Sequence, residues 1–243
     1  MKKVFIALFL LLNGINILRA QPTPVGYFNP VISPDGKRIV FEANKTGKFA
    51  IYTIRTDGTD LQKLTDDNGG SQARWSPDGK QIVFQSRRDG HSQLYLMNAD
   101  GSNQHRLTNG TDLDFQPYFS PKGDLIVFHS HPSAEGSTND IYIIKPDGTG
   151  RKKLTDGKAN YTAPRWSPDG KKIVLSIVEP LSKFLPNVSN EAIMKMSNEE
   201  RMNIGIKQRN SSELYIMNSD GTNVLRLTNN ERRDDQPEWS KDS

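Results

Sequence analysis

The feature that most constrains the fold is a sequence unit that returns about every 43 residues. Its most complete copy, Trp75–Lys80, reads W-S-P-D-G-K and precedes the apolar run Ile82–Phe84. The serine of the successive copies is found at Ser33, Ser76, Ser120, Ser167 and Ser240. Self-similarity at a fixed spacing of this length is typical of repeat architectures such as propellers and solenoids.

Two further markers follow in the same order in four of the units. An Asp-Gly pair occurs at Asp57, Asp100, Asp147 and Asp220. A Leu-Thr pair closes the units at Leu64, Leu107, Leu154 and Leu227. Pro-Asp-Gly and Asp-Gly are hairpin turns, so each unit predicts four short strands. We therefore predict an all-β fold, a β-propeller of four-stranded blades.

The markers divide the chain into an N-terminal segment, 1–20, and a propeller domain, 21–243. The predicted repeats are about 28–70, 71–112, 113–158 and 159–231, with a partial fifth at 232–243. Because the fifth copy stops inside its first turn, we expect an open or incomplete ring, or a shortened form of a longer parent. Closure of four blades by an extra strand is the alternative.

We interpret the residues of the repeated motif as structural. The aromatic position holds Ile32, Trp75, Phe119, Trp166 and Trp239, and such large side chains are expected to wedge between adjacent blades. The Asp and Gly of the motif are expected to form its turn. The structural residues of the repeat are therefore Trp75, Asp78, Gly79, Trp166, Asp169, Gly170 and Trp239.

The fourth unit carries an insertion, 178–212, with a predicted helix that starts near Glu191 behind a cap at Ser189 or Asn190. Ala192, Ile193, Met196 and Met202 are expected to form its apolar side. A surface insertion lying on the propeller is the simpler interpretation, and a lid or partner-binding helix is the functional one.

The first twenty residues have the layout of a secretory signal peptide, with Lys2 and Lys3, an apolar stretch at Val4–Leu12, and Ala20 before the cleavage point. An uncleaved anchor is the alternative, although a bilayer span needs about 20 apolar residues. Residues 1–20 hold three of the four net positive charges, which leaves +1 for residues 21–243. We expect a periplasmic or secreted protein, no nucleic-acid partner, and no membrane span after signal removal.

The sequence lacks the usual catalytic patterns. It has no G-x-S-x-G nucleophile motif and no cysteine. His129 and His131 lie two residues apart, with Asp140 nearby, and two histidines can start a metal site. Because a third ligand is missing, solvated loop histidines are the favoured interpretation. We expect no catalytic residue, no metal and no cofactor.

The run W-S-P-D-G-K-x-I-V-F at residues 75–84, with N-A-D-G-S at 98–102 and R-L-T at 106–108, resembles the repeat of the TolB propeller family. The resemblance extends from about Phe28 to Ser243. It implies a propeller similar to those of TolB and of prolyl oligopeptidase-type and tricorn-type peptidases, and a bacterial source. TolB has an α/β domain before its propeller. Only Gln21–Tyr27 precede the first repeat here, so we expect that domain to be missing.

Binding is expected where the repeats differ, in loops held by a rigid scaffold at one mouth of the propeller. The candidate partner-binding residues are Arg87, Arg88, His129, His131, Tyr161, Arg232 and Arg233.

The favoured hypothesis for function is an exported, non-catalytic scaffold that binds a protein or peptide partner in the bacterial cell envelope. The alternative is a carbohydrate- or peptide-processing propeller enzyme, or its detached propeller domain, with carbohydrate as a second ligand class. A fragment without independent function is a third hypothesis.

Overall fold

The chain forms four four-stranded antiparallel sheets in the computed structural model of the protein, and each sheet has its strands in sequence order. The structure describes residues 26–44, 48–67, 69–133, 138–178, 185, 188–209, 211–230 and 232–240. The predicted signal peptide, 1–20, lies outside the described residues. The prediction of an all-β propeller with four-stranded blades is confirmed.

The first two blades have closely similar strand lengths. Blade 1 contains β1 (Gly26–Ile32), β2 (Arg38–Asn44), β3 (Phe49–Arg55) and β4 (Gln62–Lys63). Blade 2 contains β5 (Ser71–Trp75), β6 (Gln81–Ser86), β7 (Gln93–Asn98) and β8 (His105–Arg106).

The last two blades repeat this order, and the fourth carries two helices between its second and third strands. Blade 3 contains β9 (Leu113–Phe119), β10 (Ile126–His131), β11 (Asp140–Ile144) and β12 (Lys152–Lys153). Blade 4 contains β13 (Asn160–Trp166), β14 (Lys172–Val178), α1 (Asn190–Lys195), α2 (Asn198–Arg209), β15 (Ser212–Asn218) and β16 (Leu225–Arg226).

The Ser-Pro-Asp-Gly-Lys motif forms a turn whose serine is hydrogen-bonded within the turn itself. Ser76 Oγ donates to Asp78 Oδ1 at 2.6 Å and accepts from the backbone N of Gln81 at 2.9 Å. Gly79 has a φ of 69°, a conformation that glycine adopts at little cost. In blade 3, Lys122 replaces the aspartate, and Asp124 accepts from Ser120 Oγ at 2.7 Å instead. The serine therefore keeps a carboxylate partner in every copy of the turn from blade 1 to blade 4.

The Asp-Gly turn also joins one blade to the next. Gly221 has a φ of 93°, and a Cβ at this position would clash with the carbonyl oxygen of Leu154 in blade 3. Gly101 approaches Leu64 in the same way, with a Cβ distance of 3.2 Å. Only glycine satisfies both the positive φ and the close approach, which explains its recurrence.

The aromatic residue at the end of each first strand packs between blades. Trp75 lies in an apolar cluster with Val40 and Ile51 of blade 1, and its Nε1 donates to the carbonyl of Val31 at 3.1 Å. The wedge prediction is wrong for Ile32, whose surface is 62% exposed. Ile32 lies on the first blade, and no blade precedes it within the described residues.

The described blades form an open arc. Buried apolar clusters join blade 1 to blade 2, blade 2 to blade 3, and blade 3 to blade 4. No such cluster joins blade 4 to blade 1 within the described residues. The segment 232–240 begins a further unit against blade 4, because Trp239 Nε1 donates to the carbonyl of Arg165 at 3.1 Å.

The insertion contains two helices where one was predicted. Ser189 caps α1 by accepting from the backbone N of Ala192 at 3.2 Å, as expected. Ser197 then caps α2, and Glu200 Oε2 accepts in return from the backbone N of Ser197 at 2.8 Å. This capping box separates the helices, and Met202 is 57% exposed. Neither helix, and no other among the described residues, could span a bilayer.

Candidate functional site

The first strands of neighbouring blades contact one another along the inner side of the open arc, which we call the channel. A cavity of about 530 Å³ lies at one end, which we call the amide cavity after its glutamines, Gln72, Gln85, Gln116 and Gln236. A cavity of about 380 Å³ lies at the other end, which we call the arginine cavity after Arg74. Gln72 and Arg74 belong to the same strand, β5, so the channel has two chemically different mouths.

A bulge recurs in each unit, and in three units it places a glutamine, Gln72, Gln116 or Gln236, at the amide cavity. The residue three positions before the aromatic has a φ of 50° to 55° in every unit: Asn29, Gln72, Gln116, Ala163 and Gln236. Residues other than glycine rarely adopt this conformation, which costs of order 1 kcal/mol or more. Its recurrence in five units makes the bulge a designed feature of the channel.

Side chains of preceding blades hold these bulges in place. The backbone N of Gln72 donates to the Glu42 carboxylate, and that of Gln116 donates to Gln85 Oε1 at 3.1 Å. The backbone N of Ala163 donates to Gln116 Oε1 at 3.1 Å. The ring of polar side chains is therefore fixed by contacts between blades.

His129 occupies the same position on β10 that Gln85 has on β6. Its ring stacks on Phe115 with centroids 5.3 Å apart, and Nδ1 is buried without a hydrogen-bond partner among the described residues. Burial lowers the pKa of His129 to about 3, with smaller contributions from Arg165 and His131. The imidazole is therefore neutral near pH 7. The interpretation of His129 and His131 as solvated loop residues is wrong, because both lie in β10, where His129 is buried and His131 is half-buried.

Three of the seven predicted partner-binding residues line the amide cavity: His129, His131 and Arg233. His131 Nδ1 lies 3.1 Å from Asn139 Oδ1 in a hydrogen bond. The Arg233 guanidinium forms an ion pair with Asp235. These contacts orient both side chains without burying them completely.

The other four predicted residues lie elsewhere. Arg88 covers the rings of Phe84 and Tyr95, with its Cζ 4.8 Å from the Tyr95 centroid, and it donates to the Gly69 carbonyl. It therefore joins blade 2 to the preceding loop. Arg87 is exposed and lines two other pockets, and it belongs to neither the amide cavity nor the arginine cavity.

Tyr161 and Arg232 are also outside both cavities. Tyr161 is 8% exposed, packs in the core between blades 3 and 4, and donates from its hydroxyl to Asp156 Oδ1 at 2.7 Å. Arg232 is exposed, and its backbone N donates to Asn230 Oδ1 at 2.6 Å. Neither side chain belongs to a shared pocket with the histidines.

Sequence reasoning missed the ring around the arginine cavity. The position directly before the aromatic holds Val31, Arg74, Tyr118, Arg165 and Glu238 in successive units. Arg165 is 3% exposed, its Cζ lies 5.1 Å from the Tyr118 ring centroid, and its Nε lies 3.1 Å from Glu238 Oε1. Because these residues differ in type, they form no visible sequence pattern. Aligning the repeats at their Ser-Pro turns would show that they occupy one position.

The described residues contain no group of three or more His, Asp or Glu side chains arranged to hold a metal ion. His129 and His131 therefore lack a third ligand from the described part of the chain. The amide cavity thus presents mainly glutamine amides, whereas the arginine cavity presents the guanidinium of Arg74 beside the Glu238 carboxylate.

Comparison with known proteins identifies the repeat type. The family model of the TolB β-propeller domain matches residues 23–195. No curated protein matches the chain.

Three solved structures illustrate the range of proteins with this architecture. A TolB-type protein from Agrobacterium tumefaciens is 28% identical, with a TM-score of 0.63, over 81% of this chain and 63% of that one. TolB from Acinetobacter baumannii is 24% identical, with a TM-score of 0.63, over 85% and 44%. A puromycin hydrolase is 16% identical, with a TM-score of 0.57 to 0.58, over 83% and 28%. The chain spans less than two thirds of each of these proteins, which include both TolB proteins and an enzyme.

Proposed function

Because the chain belongs to the TolB β-propeller domain family, we propose that it is an exported, non-catalytic propeller that binds a protein or peptide partner in the bacterial cell envelope. The observation that carries this proposal is the amide cavity at the mouth of the channel. Three residues expected to bind a partner line it: His129 and His131 from β10, and Arg233 from the segment after blade 4.

The lining of the amide cavity suits a peptide. Gln85 and Gln116 already accept from the bulge amides, whereas the side chains of Gln72 and Gln236 form no hydrogen bond within the described part of the chain. The amides of Gln72 and Gln236 therefore offer both a donor and an acceptor, as does each peptide group of a ligand. The Arg233 charge is offset by Asp235, and His129 is neutral near pH 7, so the lining favours a polar and uncharged ligand. Leu113, Phe115 and Val178 add an apolar wall. A few placed polar groups beside apolar surface are characteristic of ligand pockets.

The lowered pKa of His129 supports the proposal that the protein is not catalytic. A general base works best when its pKa lies near the working pH. Burial lowers the pKa of His129 to about 3, which makes it a weak base near pH 7. The sequence also lacks a G-x-S-x-G nucleophile motif.

Export is proposed from residues 1–20, whose layout is that of a signal peptide. Cleavage after Ala20 predicts a mature protein that starts at Gln21. Mass spectrometry of the protein recovered from the periplasm or medium tests this point. An intact Met1 start on cytoplasmic protein would contradict it.

Partner binding is tested by comparing two glutamine variants in a quantitative pull-down from envelope extract. Gln236→Ala removes an amide from the cavity, whereas Gln62→Ala removes an exposed amide from β4. Loss of one or two neutral hydrogen bonds should weaken capture by about 2- to 30-fold for Gln236→Ala only. Equal recovery with both variants would contradict a partner in the amide cavity.

Carbohydrate is the second candidate ligand, favoured by the half-exposed Phe115 ring beside the amides. A glycan array probed with the wild type and with Phe115→Leu distinguishes the ligand classes. Glycan binding that depends on Phe115 would replace the peptide hypothesis. Turnover of a bound glycan or peptide would instead establish the enzyme alternative.

A further inference from the structure

The arginine cavity has a composition that the proposed peptide site does not explain. Four side chains from one repeat position surround this end of the channel: Arg74, Tyr118, Arg165 and Glu238. Arg165 lies beneath the surface, between Tyr118 and Glu238, whereas Arg74 faces the cavity itself. Both guanidinium groups therefore lie near the Glu238 carboxylate, which pairs directly with Arg165.

The hydrogen bonds of the two arginines are unequal. Arg165 donates from Nε to Glu238 Oε1 at 3.1 Å and from Nη1 to the Pro164 carbonyl at 2.8 Å. Arg74 donates only from Nη1 to the carbonyl of Ala73, at 2.9 Å. Its Nε and Nη2 have no acceptor within the described part of the chain. A guanidinium presents five N–H donors, so Arg74 retains a fork of donors for a ligand.

The charge of Arg74 also lacks a direct partner. Burial lowers its pKa, and the nearby Arg165 lowers it further, whereas Glu238 and Glu42 act in the opposite direction. Neither carboxylate forms an ion pair with Arg74 among the described contacts. Glu42 accepts instead from Asn29 Nδ2 at 2.9 Å and from the backbone of Gln72. A partly buried guanidinium without a counter-ion favours an incoming anion.

The wall of the cavity is apolar. Trp75, Trp166 and Trp239 line it together with the prolines of the repeated turns, including Pro77 and Pro121. An anion with an apolar body, such as an organic carboxylate, can therefore contact both the guanidinium and this wall. A bare inorganic anion would leave the tryptophan and proline surface uncovered.

We propose that Arg74 binds the carboxylate of a ligand whose apolar part packs on the tryptophan and proline wall of the arginine cavity. The carboxylate accepts from Nε and Nη2 of Arg74, which is the paired geometry that guanidinium and carboxylate groups adopt. This second site lies at the opposite channel mouth from the amide cavity and does not depend on the proposed function. The carboxylate comes either from an acidic peptide or from a small organic acid.

Two matched ligand pairs test the site on the full-length mature protein. Benzoate against benzamide probes a small acid, and Ac-Leu-Glu-Leu-NH2 against Ac-Leu-Gln-Leu-NH2 probes a peptide. The acid of at least one pair should bind at least about tenfold more tightly than its amide, since hydrogen bonds to charged groups exceed neutral ones. Equal affinity within both pairs, measured by calorimetry up to millimolar ligand, would overturn the proposal.

Variants then locate the binding. Arg74→Gln should abolish the preference for the acid, whereas Arg87→Gln, at an exposed arginine outside both cavities, should preserve it. Loss of the preference with Arg233→Gln but not with Arg74→Gln would overturn the proposal by placing the ligand in the amide cavity. If Arg74→Gln does not fold, NMR of the wild-type protein tests whether the acid contacts Arg74. The Nε–Hε resonance of Arg74 should shift with benzoate or with Ac-Leu-Glu-Leu-NH2 and with neither matched amide, and a resonance unchanged by both acids would contradict the site.

Discussion

Arg165 and Glu238 form an ion pair, with Nε 3.1 Å from Oε1, although they lie 73 residues apart in the chain. Both occupy the position directly before the tryptophan of their units, Trp166 and Trp239. The ion pair thus connects equivalent positions of successive repeats. The tryptophans recur and belong to the frame of the blades. The residues directly before them differ from one repeat to the next, and they line the channel.

Glu238→Gln should lower the free energy of unfolding by about 1 kcal/mol, because Arg165 is buried and would lose its carboxylate. The loss stays small since Glu238 itself is 60% exposed. Urea unfolding provides the measurement. Glu191→Gln, which breaks the exposed pair with Lys195, serves as the control and should have no measurable effect. Equal effects of both substitutions would argue against the buried pair.

Trp75→Ala should destabilise the protein by about 3–5 kcal/mol, because it empties the contact between blades 1 and 2. Ile32→Ala changes the equivalent residue of blade 1, which is 62% exposed, and should cost well under about 1 kcal/mol. Thermal and urea unfolding of both variants test the asymmetry. Similar losses would mean that Ile32 is covered in solution.

Gly221→Ala should destabilise the protein by more than about 1 kcal/mol, since φ is 93° and the new Cβ would clash with the Leu154 carbonyl. Gly205→Ala in α2 is the matched control. A Cβ added at Gly205 would have no atom within 4 Å outside its own helix, and alanine should stabilise the helix by up to about 1 kcal/mol. Opposite signs of the two changes in unfolding free energy are therefore expected.

Stability should fall as the pH drops below about 6.5, the ordinary pKa of histidine. The folded protein holds His129 neutral, with its pKa lowered to about 3, whereas the unfolded chain takes up a proton. Unfolding therefore gains a proton between these two values and becomes easier as the pH falls, by at most about 1.4 kcal/mol per pH unit.

The control for this titration is His129→Gln, which introduces the residue that blade 2 has at the same position, Gln85. Urea unfolding at pH 7, 6 and 5 should give a smaller pH dependence for the variant than for the wild type. Identical slopes would mean that His129 gains its proton equally well in the folded protein.

The frame of the fold could be predicted because it depends on local chemistry. The Pro-Asp-Gly and Asp-Gly turns, and the large apolar residue directly before each Ser-Pro turn, repeat closely enough to define four strands per blade. The helical insertion was only half predicted, since Ser197 and Glu200 form a capping box inside an apparently continuous helix. Ser197 was not recognised as a second cap.

The arginine cavity could not be predicted from the repeat pattern, because its lining residues share a position but differ in type, as Arg74, Tyr118 and Glu238 illustrate. The amide cavity repeats a glutamine three residues before the aromatic, at Gln72, Gln116 and Gln236, and the sequence analysis did not single out this position. His129 and Arg233 line the amide cavity, but they were selected because they are polar and outside the motif, and their role in partner binding stays a prediction. Tyr161 was chosen on the same grounds and lies in the core, because its ring packs between two blades.

Site-specific photo-crosslinking in cells tests the central claim, that a polypeptide partner enters the amide cavity. A photoreactive phenylalanine analogue is placed at Gln236, in the cavity, and at Gln62, on the exposed β4. The account predicts a crosslinked adduct with an envelope polypeptide from position 236 and none from position 62. Equal adducts from both positions, or no polypeptide adduct from position 236, would contradict it.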